Sequence, residues 1–401
     1  MELEEYVVLR KLTDRTLTLI GPGIHTRGDT ESRESAVGFQ VETVRVGRRE
    51  LREIARRPDF LGAAPPMPLQ LISPLARSAG ITHDSRKTTW GVEAVAADRC
   101  TYSAERITVA VLDTGIDPKH EAFQGMELCQ QDFTGEGLGD VNGHGTHCSA
   151  TIFGRHAAGM RYSVAPTVQR ALIAKVLDRR GGGTTNSLVR AIFWALSEGA
   201  HIITMSLGID FPGYVRTLIQ RGFPLEASTS LALEGYRDNL HLFESLSGVV
   251  KAAAGPFTPG ALLFAAAGNE SRRDSEPAYE LSVAPPAAAN GIIAVGALEP
   301  STDQRQRFKV ASFSNIGPTV AGPGVNILSA KAGGGYVEMS GTSMATPHVA
   351  GVAVLWAAKL LADTGDVNME ELASRVIGGA QRSPGMDRID VGAGLVQAPL
   401  T

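Results

Sequence analysis

The sequence predicts an α/β fold in which a central, mostly parallel sheet is flanked by helices. Short apolar runs rich in β-branched residues, typical of buried strands in parallel sheets, alternate along the chain with segments of helical periodicity. Such alternation predicts crossover helices on both faces of the sheet. The predicted strands are 107–112, 169–177, 201–208, 262–267 and 291–297, and the predicted helices include 185–198 and 231–253.

The first 80 residues predict a separate, small N-terminal α+β domain. Segments 6–12 and 37–46 have the alternation of strands, and 47–57 has the pattern of a charged amphipathic helix. A proline-rich stretch at 63–68 then leads into the apolar segment 69–74. We therefore divide the chain into an N-terminal domain, 1–80, and a main domain, 81–401.

A serine near the C-terminus is placed as a nucleophile would be. Ser343 lies in the sequence GTSMATPHVAG, between a glycine–threonine turn and a long Ala/Val-rich run. This pattern predicts a buried helix with Ser343 in its first turn. The free N–H groups and the positive end of the helix dipole favour an anion there.

Two upstream segments supply a carboxylate and a base. Asp113 follows the strand 107–112, and in open α/β sheets chemistry occurs at the carboxyl ends of strands. Taken alone, an aspartate there is more often a turn former. His144 lies at the mouth of a small-residue helix in NGHGTHCSA, with His147 one turn further in. Two metal ligands can share that spacing, but no third-ligand motif such as H-E-x-x-H is found. We predict no metal and no cofactor, and a structural role for His147.

Together the motifs D-T-G, H-G-T-H and G-T-S-M-A-T-P-H resemble those of the subtilisin-like serine proteases, the subtilase family, over roughly residues 90–397. The resemblance implies the subtilisin-like three-layer fold and a triad of catalytic residues. Ser343 would be the nucleophile, His144 the general base and then acid, and Asp113 the group that orients the imidazole. The chain order Asp, His, Ser is that of subtilisin.

The resemblance also implies residues that bind the oxyanion and the substrate. Asn269, in the turn after strand 262–267, matches the family's oxyanion-hole asparagine; without the triad it would be a plain turn former. The substrate backbone would lie antiparallel to a first substrate-binding segment, formed by Ser206, Leu207 and Gly208. A second segment, formed by Ala266, Ala267 and Gly268, would complete the pocket that binds the residue before the cut. Glu270 would lie near the pocket floor and favour basic or polar side chains.

The predicted function is hydrolysis of peptide bonds by a serine endopeptidase through an acyl-enzyme. A transpeptidase or macrocyclase would use the same acyl-enzyme, and a catalytically silent protein would only hold a peptide in the cleft. The N-terminal domain resembles a propeptide, which assists folding and blocks the cleft with its tail, here about 69–85. The alternative is a permanent N-terminal domain for partner binding or stability. The expected partners are therefore a polypeptide substrate and the chain's own N-terminal domain, acting as an intramolecular inhibitor.

Composition excludes several other classes of function. The net charge is −4 without any basic tract, so neither nucleic acid nor an anionic membrane is an expected partner. No secretory signal is recognised, so we expect a cytoplasmic monomer, or a secreted one if an export signal lies outside this sequence. The 3 cysteines are too few for a disulfide framework. Cys148 resembles the buried free thiol beneath the catalytic histidine in the proteinase K branch; a redox switch is the alternative.

Two segments depart from the family pattern. After Asp113 an alanine, Ala122, stands where a calcium-binding aspartate would align, and the loop 153–161 carries arginines instead of oxygen ligands. Calcium prefers carboxylate and carbonyl oxygens, so we predict that this calcium site is absent. The segment 210–230 is longer than its counterpart in a minimal subtilase. It would form a lid or exosite, or an inert surface insertion.

Overall fold

The structure is a computed structural model that describes residues 3–12, 33–36, 38–74, 87–156, 159–254, 259–303 and 306–400. The strands in these residues are β1 (Glu4–Lys11), β2 (Arg33–Ala36), β3 (Phe39–Val46), β4 (Phe60–Ala64), β5 (Pro68–Leu71), β6 (Val109–Asp113), β7 (Glu127–Asp132), β8 (Arg170–Lys175), β9 (Gly182–Thr184), β10 (Ile202–Met205), β11 (Leu207–Ile209), β12 (Leu262–Ala266), β13 (Ile292–Pro300), β14 (Phe308–Val310), β15 (Val320–Pro323), β16 (Ile327–Ala330) and β17 (Tyr336–Met339). The helices are α1 (Arg48–Ala55), α2 (Trp90–Ala94), α3 (His144–Phe153), α4 (Thr185–Ser197), α5 (Phe211–Gln220), α6 (Leu225–Ala252), α7 (Thr342–Thr364), α8 (Met369–Gly378) and α9 (Arg388–Val391).

The central sheet has the strand order β14–β13–β12–β10–β6–β8–β7, and β15 also pairs with β13. Every pairing in it is parallel except that of β14 with β13. The predicted mostly parallel sheet is therefore confirmed. One predicted strand, 201–208, is divided: β10 ends at Met205, and β11 begins at Leu207 in a different sheet. The chain leaves the central sheet at Ser206 because β11 pairs with β5 instead.

Apolar side chains from both faces of the sheet are buried in two large clusters. On one face the strands pack against α3, α7 and α8, and on the other against α4 and α6. Helix α7 is long and apolar enough to cross a membrane by length and composition alone, but 83% of its apolar window is buried inside the protein. That burial is typical of the core helix of a globular domain. It anchors the residues at the start of α7 against the sheet.

The N-terminal residues form a four-stranded sheet in the order β2–β3–β1–β4. Strand β1 alternates as predicted: Val7 and Leu9 face the cluster that contains α4 and α6. Tyr6 and Val8 face the other way and pack with Ile54 of α1. The sheet is therefore docked on helices of the main body by one apolar face. The boundary at residue 80 lies outside the described residues and stays a prediction.

Residues after this sheet enter a second, three-stranded sheet in the order β11–β5–β9. Strand β5 is its central strand and is antiparallel to both neighbours. The predicted inhibitory tail, 69–85, therefore begins in an ordered strand, and its residues 75–85 lie outside the described residues.

The long segment after β11 is mostly helical, and whether 210–230 acts as a lid, an exosite or an inert insertion stays a prediction. Helix α5 begins after Asp210, whose side chain accepts a hydrogen bond from Gly213 N–H and caps the helix. Helix α6 begins at Leu225, six residues before the predicted start at Leu231. Asp210 and the proline in the first turn are ordinary signals of a helix start.

Candidate active site

The carboxylate of Asp113 and the imidazole of His144 are directly hydrogen-bonded. Asp113 is the last residue of β6, and His144 is the first residue of α3. His144 Nδ1 lies 2.8 Å from Asp113 Oδ1 and 3.0 Å from Oδ2. A Cβ on Gly145 would overlap the carbonyl oxygen of Gly115, so only glycine lets α3 approach the turn after Asp113 this closely. The predicted pairing of the two motifs is therefore present as a contact.

Burial and the adjacent carboxylate act in opposite directions on the histidine. Both side chains are 1% exposed. Burial lowers the pKa of His144, but the charge of Asp113 and the hydrogen bond to it raise that pKa, and the result lies well above the ordinary histidine value. The contact leaves Nε2 as the ring nitrogen that is free to exchange a proton with a reacting group.

A third group, Cys148, lies one turn along α3 from His144. Its Sγ is 3.7 Å from His144 Nδ1 and 3.9 Å from Nε2, and it donates to the Ser343 carbonyl oxygen at 3.4 Å. Burial raises the pKa of this thiol, so it stays protonated. Carboxylate, imidazole and thiol together are a possible metal-ligand set. The direct bond between Asp113 and His144 uses the same donor atoms that an ion would need.

A buried aspartate that the sequence analysis did not single out holds this arrangement together. Asp140 Oδ1 accepts hydrogen bonds from Thr114 Oγ1 at 2.8 Å and from Gly143 N–H at 2.7 Å. Its Oδ2 accepts from the Thr146 N–H at 2.8 Å and from Thr146 Oγ1 at 2.7 Å. Asp140 therefore connects the turn after Asp113 to the first turn of α3. Its only sequence signal is its position just before N-G-H-G, after the glycine-rich loop 135–139.

Ser343 is the second residue of α7, as predicted, and is fully buried beneath a segment of its own chain. Its Oγ donates a hydrogen bond to the Ile72 carbonyl oxygen at 2.9 Å. Its own carbonyl oxygen accepts from Ser206 Oγ at 3.3 Å. Among the described residues, the hydroxyl bonds to Ile72 and not to His144.

Asn269 lies beside the serine with its amide held in one orientation. Its Oδ1 accepts from Thr342 N–H at 2.8 Å and from Thr342 Oγ1 at 2.9 Å. The Nδ2 group is thereby directed at the cleft, where it donates to the Ser73 carbonyl oxygen at 3.1 Å. Such a fixed N–H donor near a nucleophile can stabilise negative charge on a substrate oxygen.

The cleft is filled by β5, which lies antiparallel to β11 with Gln70 opposite Gly208. Two residues further along, the Ile72 N–H donates to the Ser206 carbonyl oxygen at 3.4 Å. A Cβ on Gly208 would lie 3.8 Å from Ile72 Cδ1, so the isoleucine side chain rests on this glycine. The segment Ser206–Gly208 therefore contacts an extended polypeptide in the orientation that the resemblance implies.

The second predicted wall is buried behind this strand. Ala266 ends β12, and the Ala267 carbonyl oxygen accepts from Asn315 Nδ2 at 3.2 Å. Glu270 Oε2 accepts from the same Nδ2 at 2.7 Å. A Cβ on Gly268 would collide with the Glu270 carboxylate and with Asn315. The carboxylate thus lies against Gly268, and the position of Glu270 near the pocket floor stays a prediction.

Two other histidines near the site are buried and neutral. His147 Nε2 donates to the Ile327 carbonyl oxygen at 3.0 Å, and burial lowers its pKa to about 3. Burial likewise lowers the pKa of His348 to about 4. His147 thus joins α3 to β16, which fits the structural role predicted for it.

The loop after α3 places arginine side chains at the position where the calcium site of the family would lie. Arg155 donates to the Pro166 carbonyl oxygen, and Arg161 donates to the carbonyl oxygens of Ser163 and Val164. These carbonyl oxygens are therefore used by guanidinium groups. The absence of calcium binding here stays a prediction.

Comparisons with known proteins point to one family. A sequence profile described as the subtilase family matches residues 104–388. The chain is 36% identical over 251 residues to a thermostable alkaline protease of Halalkalibacterium halodurans, covering 62% of this chain and 55% of that protein. It is 33% identical over 287 residues to subtilisin-like protease 1 of Trichophyton rubrum, covering 68% and 47%. It is 34% identical over 257 residues to a thermophilic serine proteinase of a Bacillus species, covering 63% and 52%. The chain spans about half the length of these curated relatives.

Proposed function

Because the chain belongs to the subtilase family, we propose that it is a serine endopeptidase that cuts polypeptides through an acyl-enzyme. The observation that carries this proposal is the hydrogen bond from Ser343 Oγ to the carbonyl oxygen of Ile72, in an extended segment lying in the cleft. The names of the relatives, all proteases, support the same chemistry. The Asp113–His144 contact of 2.8 Å supports a triad with Ser343.

In the proposed mechanism, Ser343 Oγ attacks the carbonyl carbon of the residue before the cut, and its proton passes to His144 Nε2. Asp113 holds Nδ1 and stabilises the imidazolium that forms. The oxyanion receives hydrogen bonds from Asn269 Nδ2 and from the Ser343 N–H at the start of α7. His144 then donates its proton to the leaving amine. Water repeats the sequence on the acyl-enzyme and releases the acid.

We also propose that the N-terminal residues are an intramolecular inhibitor made with the enzyme. The cleft-bound segment lies antiparallel to β11, and its Ile72 carbonyl contacts the nucleophile. The docked face of the N-terminal sheet, with Val7 and Leu9, joins the apolar cluster of α4 and α6. This arrangement favours cleavage between Ile72 and Ser73 by the enzyme itself, after which the segment would remain as a product-like inhibitor until released.

Labelling with a fluorophosphonate and hydrolysis of a denatured protein test the activity. We expect one equivalent of label, cleavage at many sites, and loss of both in Ser343→Ala. Ser197→Ala is the control, because this serine is exposed at the end of α4. Ligated products in excess of hydrolysed ones would instead identify a transpeptidase. Normal peptide binding without label or turnover would identify a catalytically silent protein.

A further inference from the structure

The groove that holds the chain's own segment continues well beyond the residues paired with β11. Counting back from the Ile72–Ser73 bond, Leu69 is the fourth residue, Met67 the sixth and Pro65 the eighth. Strand β5 begins at Pro68, yet contacts with the main body continue on its N-terminal side through Met67 and Pro65. These further contacts come from α4, α5 and α6, and they are the basis of this inference.

The fifth and sixth residues are held through their backbones. The Asp210 N–H, just before α5, donates to the Pro68 carbonyl oxygen at 3.0 Å. Thr185, the first residue of α4, makes two hydrogen bonds to Met67. Its N–H donates to the Met67 carbonyl oxygen at 3.0 Å, and its Oγ1 accepts from the Met67 N–H at 3.0 Å. Contacts of this kind hold any residue type in an extended conformation.

The side chain of the sixth residue, Met67, and the eighth residue, Pro65, lie against α6. Met67 is fully buried, and a Cβ on Gly235 would lie 3.4 Å from both Met67 Sδ and Pro65 Cγ. One turn further, Asn239 is fully buried, and its Nδ2 donates to the Pro65 carbonyl oxygen at 2.9 Å. Gly235 and Asn239 are four positions apart and thus share one face of α6. A Cβ on Gly235 would just touch the methionine, so only a larger side chain there would enter the recess that Met67 occupies.

One buried polar atom in this recess is left without a partner by the chain's own segment. Asn239 Oδ1 has none among the described residues. Pro65 and Pro66 carry no N–H, so neither can donate a backbone hydrogen bond to it. A polypeptide with other residues at the seventh or eighth position does carry such donors. The groove is therefore equipped for an extended chain in general and is not filled completely by the segment that lies in it.

We propose that this groove, formed by Thr185, Gly235 and Asn239, binds substrate residues five to eight before the cut and makes the enzyme selective for extended polypeptides with an apolar sixth residue. The inference depends on the proposed peptidase function and specifies its substrate class. It also gives the inserted segment that follows β11 a role, because α5 and the first half of α6 build this part of the groove. Folded proteins and short peptides cannot place eight extended residues there.

Two chromogenic peptides test the proposal on the full-length protein, incubated until its reaction with fluorophosphonate is maximal. The short peptide carries residues 69–72 (LQLI) and the long peptide residues 65–72 (PPMPLQLI), each ending in p-nitroanilide. We expect kcat/KM for the long peptide to be at least about tenfold higher, since it adds four hydrogen bonds and a buried side chain. A long peptide with aspartate in place of the methionine should fall to the level of the short one.

Variants on one helix provide the matched control. Gly235→Leu fills the recess and should reduce the long-to-short ratio of kcat/KM to about one. Gly248→Leu makes the same change on α6 where an added Cβ meets nothing within 4 Å, and should leave the ratio unchanged. The ratio does not depend on how much enzyme matures, and the aspartate peptide tests the same recess in the unmodified protein.

The outcomes separate the two proposals. Equal kcat/KM for the three peptides, with normal labelling, would overturn the extended groove and restrict these contacts to docking of the N-terminal residues. Absence of both label and hydrolysis would overturn the peptidase function, and the groove proposal with it.

Discussion

The carbonyl oxygen of Ile72 accepts a hydrogen bond of 2.9 Å from Ser343 Oγ, across 271 positions of sequence. Strand pairing fixes this contact, because Gln70 opposite Gly208 sets the register in which Ile72 reaches the serine. A shift by one residue would turn the buried Leu69 side chain to the opposite face. Strand register thus places the carbonyl group of Ile72 at the nucleophile, while Asn269 Nδ2 contacts the next carbonyl oxygen, that of Ser73. For the proposed cut between Ile72 and Ser73, Asn269 Nδ2 would have to contact the Ile72 carbonyl oxygen instead.

Removing the nucleophile and removing the oxyanion donor should have very different effects. Ser343→Ala should lower kcat by a factor on the order of 10⁶, a loss typical of serine proteases without their nucleophile. Asn269→Ala should lower kcat by about 10²–10³ with little change in KM, because its Nδ2 would act mainly in the transition state. Steady-state kinetics on a peptide substrate measures both losses. Equal losses in the two variants would contradict the assigned roles.

The raised pKa of His144 predicts activity that increases into the alkaline range. A general base must be neutral, so a pKa above the ordinary value of about 6.5 moves the rise in kcat/KM to higher pH. In Asp113→Asn the pKa should fall and the rise should begin at lower pH, with kcat reduced by about 10⁴. A pH–rate profile of both proteins measures the shift. Identical midpoints would show that Asp113 does not set this pKa.

The raised pKa of His144 also predicts how the stability of the protein changes with pH. A raised pKa in the folded state stabilises the protein fully below the unfolded value of about 6.5. That contribution is lost as the pH rises through the folded-state pKa of His144. The difference in Tm between the wild type and His144→Ala should therefore be largest at low pH and should shrink as the pH rises. Calorimetry at several pH values measures it, and a difference that grows with pH would be inconsistent with the raised pKa.

Asp140 should act as a positioning residue. In Asp140→Asn an amide N–H₂ group would face N–H and O–H donors of Thr114, Gly143 or Thr146, so the free energy of unfolding should fall by about 1.5–3 kcal/mol. The turn after Asp113 and the start of α3 would also separate, so kcat should fall while KM changes little. The midpoint of the pH–rate profile should move toward the ordinary histidine value.

Asp132→Asn is the control for that prediction. Asp132 accepts hydrogen bonds from Thr134 and Gly137 within its own surface loop, without contact to the triad. This variant should retain the wild-type kcat and pH profile. An Asp140→Asn protein that loses stability but keeps both kinetic properties would assign Asp140 a purely structural role.

Glu270 should give a modest preference for a basic residue before the cut. Its carboxylate lies against Gly268 but is exposed, and exposed ion pairs contribute about 0–1 kcal/mol. For peptides with lysine at this position, kcat/KM of Glu270→Gln should therefore be at most about fivefold lower than that of the wild type. The difference between the two enzymes should be smaller at high salt. The exposed Glu276→Gln is the control. If kcat/KM of the wild type does not depend on the charge of the residue before the cut, the hypothesis is wrong.

The motifs were sufficient to predict the main features of the site, because D-T-G, H-G-T-H and G-T-S each combine a functional side chain with the turn that positions it. The local pattern predicted the position of Ser343 in the first turn of α7, whereas the pairing of Asp113 with His144 was implied only by the family resemblance of the motifs taken together. Strands were also predicted closely where the runs are mostly apolar, as at 107–112, observed as Val109–Asp113.

Features that depend on distant segments could not be predicted. Asp140 is an intermediate case: three of its four donors belong to Gly143 and Thr146, only three to six residues away, but its link to Thr114 forms only when α3 packs on β6. The register of β5, and with it the role of Ile72, depends on pairing with residues more than 100 positions away. Helix α5 is different, because Asp210 and the following proline are local start signals from which this helix could have been predicted.

The N-terminal sequence of the purified protein, compared with that of Ser343→Ala, tests the central claim most directly. If Ser343 attacks the carbonyl group that it contacts, the wild type should yield a new chain beginning at Ser73, and Ser343→Ala should stay uncut from Met1. A fully active wild type with an intact Met1, or a Ser343→Ala protein cut at the same bond, would contradict the account.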